Sequence, residues 1–204
     1  IVAPDELDRQ KGELSWNDLE DMLSGFAYDA YCNHSAQSEK NYFLVWDYAI
    51  NQGFAFGSGM GTNHHYGYQV RKIYTTAWLM RDAIWRAPNR NNILSTLIFW
   101  SALQETRIPF QYGRDELLDS WHTLLMAKTV SALLFVDERE RARALTGLSR
   151  WLSGSLQYSP GTIGGIKVDG TTFHHGGFYP AYTTGVLAMA GQFTALTAHT
   201  RYVP

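Results

Sequence analysis

Apolar residues fall at helical spacing through most of this chain, and the pattern breaks at two long stretches, both rich in glycine and both carrying two adjacent histidines. A chain patterned this way must bury one stripe of each helix against another helix. Its irregular stretches are then long surface loops, and long loops are where chemistry tends to reside. The first covers residues 53–69, with Gly53, Gly57, Gly59, Gly61 and Gly67 around His64-His65. The second begins at Pro160-Gly161 and passes Gly164-Gly165 and Asp169-Gly170. It ends in Thr172-Phe173-His174-His175-Gly176-Gly177-Phe178-Tyr179-Pro180-Ala181-Tyr182. Each loop feeds a helical segment.

In chain order, residues 1–14 are polar and unpatterned and read as an extended lead-in. Ser15 is an N-cap for a helix from Trp16 with Leu19, Met22, Leu23, Phe26 and Ala30 on one side. Helical spacing resumes over residues 39–52 and stops at Gly53, a natural C-terminal cap. A third helix is expected over 69–86 before Pro88, and a fourth from Asn91 through Leu103. Pro109 and Gly113 mark a turn. A long helix over 114–135 follows, then one capped by Asp137 and running to about 157, and a last one over 182–199. Strand alternation is weak everywhere. The expectation is an all-α fold of seven helices paired as hairpins, forming part of an incomplete (α/α) toroid with both histidine loops at one end of a cleft.

Composition narrows what such a domain does. A formal charge of −2 excludes a basic surface for nucleic acid, and no apolar run is long enough for a membrane span. Cys32 is alone, so there is no disulfide framework and no cysteine zinc site; an inert small hydrophobe is its ordinary role. Charged residues make up only 18%, whereas 7 Trp, 12 Tyr and 10 Phe are present. Flat rings fill cores, and they also stack on the C–H faces of sugars. Ile1 is not an initiator methionine, and the expectation is a piece of a longer protein, monomeric in its own right.

His175 and Tyr182 are seven residues apart, with Gly176, Gly177 and Pro180 between them. A loop turning into a helix near Tyr182 brings both side chains to one ligand. A tyrosine beside a histidine suits proton transfer, as an acid when neutral and as a base when nearby positive charge lowers its pKa. The same residues also suit a structural role, with a satisfied hydroxyl and a buried imidazole. One imidazole from each pair would also suit zinc, but no compact motif such as His-Glu-x-x-His is present. His34, His122 and His199 lack partner motifs and read as ordinary histidines.

The segment Asp169-Gly170-Thr171-Thr172-Phe173-His174-His175-Gly176-Gly177-Phe178-Tyr179-Pro180-Ala181-Tyr182 resembles the catalytic motif of chondroitin sulfate ABC lyases. Upstream, Thr62-Asn63-His64-His65-Tyr66-Gly67-Tyr68, followed by Arg71, Tyr74 and Leu79-Met80, is similar to a second block of that family. The order of elements over residues 41–200 follows the family too. The resemblance implies a single helical catalytic domain over residues 1–204, cleaving chondroitin and dermatan sulfate by β-elimination at uronic acid residues. It implies Tyr182 as general base and acid, His175 assisting, and His65 as a second base for iduronate. His64, His174, Tyr66, Tyr179, Trp100 and Trp121 are the expected substrate-binding residues. The partner is a glycosaminoglycan, with no nucleic acid and no membrane, in a periplasmic or secreted bacterial setting. No resident cofactor or metal is expected, although some relatives are helped by calcium or magnesium. Asn63 is not clearly the asparagine that neutralises the carboxylate in the wider group. The Arg and Glu that complete the family's site have no match before Pro204, so the expectation is the His/Tyr half of an active site. The alternative is a non-catalytic helical domain that binds carbohydrate.

Overall fold

The computed structural model describes residues 15–112 and 117–204, and of His64 and His65 the backbone only. The expected lead-in and the start of the long helix at 114 lie outside the described residues. Ten helical segments are described: α1 (Trp16–Asn33), α2 (Ala36–Asn51), α3 (Asn63–Gly67), α4 (Arg71–Leu79), α5 (Arg81–Arg86), α6 (Arg90–Trp100), α7 (Leu117–Asp119), α8 (Leu125–Leu133), α9 (Glu138–Ser155) and α10 (Pro180–Thr197). A 3-10 turn spans Leu103–Arg107, and a π turn, Ser120–Leu124, joins α7 to α8.

The helix starts follow from local chemistry. Ser15 and Asp18 form a reciprocal capping box, Ser15 Oγ accepting from Asp18 N at 2.9 Å and Asp18 Oδ2 accepting from Ser15 N at 3.0 Å. Asp137 Oδ1 accepts from the amides of Arg139 and Glu140 at the head of α9. The expected cap Asn91 lies inside α6, which opens at Arg90 without a side-chain cap. The helix expected over 69–86 is two: α4 stops at Leu79 and α5 starts at Arg81, with Met80 between at φ −91°. No residue at the head of α4 caps it. Glu20 of α1 reaches across and accepts from Lys72 N at 2.8 Å, and burial pushes its carboxyl pKa up, against the lowering effect of that hydrogen bond and of Lys72's charge.

Two large cores and a smaller cluster around Leu103, Ala132 and Leu145 hold the helices. In the first, α1 packs on α2 and α4, and α4 on α8. Trp16, Trp46, Phe54, Tyr74 and Trp100 fill the centre, each at most 2% exposed. Trp100, expected to contact substrate, lies stacked on Phe54 at 5.6 Å with its indole N–H donated to Ala55 O. Tyr66 packs edge-on to Trp100 at 5.1 Å, and its hydroxyl donates to Met60 O at 2.8 Å. The second core joins α7, the π turn, α9 and α10 through Leu118, Trp121, Leu148, Leu152 and Phe193. Trp121, also an expected platform, is 0% exposed and donates to Ser155 Oγ. Trp100 and Trp121 are core members and Tyr66 packs partly buried against the first core, because large flat side chains bury the most area per residue. Cys32 is exposed on α1.

The second loop is not featureless. It folds into a three-stranded antiparallel sheet, β1 (Gly165–Ile166), β2 (Thr172–His174) and β3 (Gly177–Phe178), in the order β1-β2-β3. Strands of two or three residues cannot display a readable alternation, and this is the one departure from the all-helical expectation. Lys167 clamps the loop, its Nζ donating to Ile163 O at 2.6 Å and to Ser159 Oγ at 2.8 Å, and lying 4.7 Å over the Phe173 ring.

Candidate active site

His174 and Gly177 pair across β2 and β3, leaving His175-Gly176 as a two-residue hairpin loop. Both loop residues have positive φ, 51° at His175 and 72° at Gly176. That is the type I′ pattern, which ordinarily takes Asn-Gly because a β-carbon is strained there. An imidazole in the first position is an unusual choice, and it puts His175 at the exposed tip of the hairpin. Along β2 the side chains alternate, so Thr172 and His174 face inward and are buried.

The hairpin is pinned to the head of α10. Tyr179 N donates to Thr172 O at 2.9 Å, and Thr172 Oγ1 lies 3.0 Å from Tyr179 O and 2.6 Å from Thr183 Oγ1. Pro180 opens α10, a position where its missing N–H costs nothing. Tyr182 therefore sits in the first turn of an 18-residue helix whose first turn carries no acidic side chain. Helical side chains lean toward the N-terminus, so its ring turns back to the hairpin. Ring centroids are 5.4 Å from His174 and 4.9 Å from Tyr179, and His174 is 3.8 Å from His175.

Behind these rings lies a buried acid. Asp119, the last residue of α7, is 5% exposed. Its Oδ2 is 3.3 Å from His174 Nε2, and its Oδ1 accepts from the Tyr68 hydroxyl at 3.2 Å. Three residues on, in the π turn, His122 lies between Tyr68 and Tyr182, with centroids 5.7 and 5.8 Å away. Burial and the charge of Arg71 hold the His122 pKa below its ordinary value, opposed by Asp119. Burial, then the Tyr182 hydroxyl and the Asp119 charge, push the Tyr68 phenol well above its ordinary value. Arg71 Nη2 donates to His122 O at 3.4 Å, and its guanidinium lies 5.5 Å over the Tyr68 ring.

Glycines let these elements meet. A β-carbon on Gly185 of α10 would stand 2.8 Å from His122 Cδ2 and Nε2, and one on Gly67 of α3 would collide with Thr123 of the π turn. The π turn itself inserts extra backbone into one continuous helix, which is how such turns commonly present side chains at functional sites.

The structure thus brings together three of the expected site residues, His175, Tyr179 and Tyr182, on one half-exposed surface. His174 joins them but at 2% exposure it faces Asp119, behind the exposed residues. Trp100 and Trp121 are core residues, and Tyr66 is partly buried against the first core. The side chains of His64 and His65 lie outside the description, though α3, which carries them, packs against the π turn. Asn63, in the same helix, donates its amide to Phe99 O at 2.6 Å. Asp119, His122, Tyr68 and Arg71 are the site residues that sequence reasoning missed. Tyr68 and Arg71 stood inside a recognised block without a role, and Asp119 and His122 gave only the faint signal of an acid and a histidine three residues apart. Among the described residues no group of three or more His, Cys, Asp or Glu side chains is arranged to hold a metal ion.

The family model described as a lyase catalytic domain matches residues 2–203. This chain belongs to the lyase catalytic-domain family. It is 33% identical over 177 residues to a chondroitin sulfate ABC exolyase of Bacteroides thetaiotaomicron, covering 84% of this chain and 17% of that protein. It is 30% identical over 169 residues to a chondroitin sulfate ABC endolyase of Proteus vulgaris, covering 82% and 17%. A chondroitin sulfate ABC exolyase of Proteus vulgaris is 32% identical over 148 residues, or 71% and 14%. The lyase domain described here therefore spans about a sixth of the length of these curated relatives. Among its described residues no helix is long and apolar enough to cross a membrane.

Proposed function

We propose that this domain carries the His/Tyr half of the active site of a glycosaminoglycan lyase that acts on chondroitin and dermatan sulfate by β-elimination. The observation that carries the reading is Tyr182 at the head of α10, in ring contact with His174, whose ring lies in turn 3.8 Å from that of the hairpin-tip His175. Tyr182 as phenolate removes the C5 proton of the uronate. The electron pair moves toward the carboxylate and then into a C4–C5 double bond as the C4–O bond breaks. The proton now on Tyr182 passes to the departing oxygen, so the enzyme ends as it began. His175, exposed beside the tyrosine, assists removal of the proton. Arg71, whose guanidinium reaches the same surface, is suited to the uronate carboxylate and the charge that builds on it. His65 serves as a second base for iduronate, whose C5 proton lies on the opposite ring face. A polymer this large cannot cross a membrane unaided, which sets the reaction in the periplasm or outside the cell.

The test is the ultraviolet absorbance of the conjugated unsaturated uronate when the complete enzyme that contains this domain is mixed with chondroitin sulfate, dermatan sulfate or hyaluronan. Turnover that vanishes in Tyr182→Phe while binding persists supports the assignment. No product from any of the three polymers, with binding unaffected by Tyr182→Phe, would leave a carbohydrate-binding domain without catalysis.

A further inference from the structure

A groove of about 780 Å³ lies between the 3-10 turn, α9 and the segment after α10. Four of the chain's arginines line it: Arg107 at the end of the turn, Arg143 and Arg150 on α9, and Arg201. Glu140 is the one carboxylate among the lining residues, and it is held by Arg143 at 2.6 Å. Arg107, Arg150 and Arg201 have no carboxylate partner among the described residues. The floor is apolar, with Leu103 and Phe135. None of the residues of the His/Tyr cluster lines this groove.

In a chain of net charge −2, three guanidiniums without a carboxylate partner among the described residues repel each other in one concavity. Their geometry is organised all the same. Arg150 Nη2 donates to Arg107 O at 3.4 Å, tying α9 to the turn. The helix approaches so closely that a β-carbon on Gly147 would stand 2.8 Å from Thr106 O. Arg143 and Arg150 are seven residues apart on one face of α9, which separates them by about 10 Å along the axis. That is roughly the length of one disaccharide in a glycosaminoglycan, the interval at which its sulfates and carboxylates recur. Guanidinium forks match sulfate and carboxylate oxygens, and an apolar floor accepts the C–H faces of the sugars between them.

We propose that this groove is a second binding site for a sulfated uronate polysaccharide, separate from the His/Tyr cluster, which holds a long chain while another part of it is cleaved. The proposal rests on the glycosaminoglycan lyase reading for its choice of polyanion. A site of this kind adds affinity for long chains through effective concentration and leaves short ones untouched.

The experiment compares the protein with its Arg107→Glu/Arg150→Glu variant, using Arg86→Glu/Arg90→Glu as a charge-matched control outside the groove. Chondroitin sulfate tetrasaccharide and long chondroitin sulfate are the probes, with melting temperature as the check on folding. Binding is titrated directly in a Tyr182→Phe background, and KM and kcat are read without it. The expected result is long-chain affinity weakened about tenfold, from two lost ion pairs and two introduced repulsions. Tetrasaccharide kinetics and long-chain kcat should stay unchanged, and the control should leave long-chain affinity in place. Unchanged long-chain affinity overturns the proposal. So does an equal loss for tetrasaccharide and polymer, and so does an equal loss in the control, which marks general attraction of a polyanion. If the complete wild-type enzyme cleaves nothing, the lyase reading falls, while the titration still reports whether the groove holds the sulfated chain.

Discussion

Asp119→Asn tests the buried support of the cluster with the smallest possible change in shape. Each carboxylate oxygen faces a donor, Tyr68 Oη on one side at 3.2 Å and His174 Nε2 on the other at 3.3 Å. An amide offers one oxygen and one NH2, so one donor keeps its partner and the other faces an N–H. Losing one hydrogen bond and leaving one buried donor unpaired costs about 2–3 kcal/mol in total. For a chain of this length each kcal/mol moves the melting temperature by about 2–4 °C, so a fall of roughly 5–10 °C is expected. The same change frees the His174 ring to rotate under Tyr182. A misplacement of the reacting phenol by about 1 Å is enough to lower kcat/KM roughly a hundredfold. The discriminating measurement is the double variant with Tyr68→Phe. Removing the Tyr68 hydroxyl lets the Asn oxygen turn to His174 without conflict, so the pair should be less damaging than the sum of the singles by about 1 kcal/mol. Strictly additive melting shifts, or an Asp119→Asn protein with full activity, would refute the coupled network.

Three further outcomes follow from other sites. His175→Asn places the residue favoured in a type I′ turn at φ 51°, so stability should hold within about 0.5 kcal/mol while lyase activity collapses; a large loss of stability would mean the imidazole is structural. Gly185→Ala pushes a methyl group to within 2.8 Å of the His122 ring, and a drop in kcat with little change in melting temperature is expected, because the ring can shift but only by disturbing Tyr182. Lys128 is fully buried, donates to Ser120 Oγ at 2.9 Å and lies 3.9 Å from Glu105; burial pushes its pKa down to about 8, against the pull of Glu105. The folded state therefore loses this proton at lower pH than the unfolded chain. Its charge weakens the fold below about pH 8, and stability rises with pH from there to the unfolded value near 10.5. Lys128→Met should raise the melting temperature at pH 7, by about 1–3 kcal/mol in stability, and abolish that rise; an unchanged pH slope would show that Lys128 is not its source.

The helices were legible because their signals are local. Ser15 and Asp137 cap through atoms two or three residues away, and apolar spacing marks each buried face within one or two turns. The cluster was half legible for the same reason: His175 and Tyr182 belong to one short segment, and the His-Gly hairpin loop and the proline at the head of α10 are close neighbours in sequence. What escaped depends on long-range placement. Asp119 meets Tyr68 across 51 residues, and nothing local to either announces the other. The aromatic surplus misled in a similar way. Trp100, Trp121 and Tyr66 carry the same rings that would stack on sugars, and only the packing distinguishes a ring surrounded by Phe54 and Ser155 from one that faces solvent.

The two adjacent histidines of the second loop divide their work by strand alternation. One residue of β2 points inward and the next, at the turn, points out, so neighbours in sequence end at 2% exposure and in open solvent. His174 places its ring against Asp119, His175 and Tyr182, while His175 is exposed and Tyr182 half-buried. An exposed pair on a hairpin tip would wander without a rigid backing, and a fully buried pair could not meet a polymer. The buried Asp119–His174 contact supplies the backing, and the π turn that positions Asp119 also brings His122 to Tyr182. Rigidity and access are thereby assigned to different residues of one motif, which is why substitutions at His174 or Asp119 should lower activity through geometry, whereas those at His175 and Tyr182 should lower it with the fold intact.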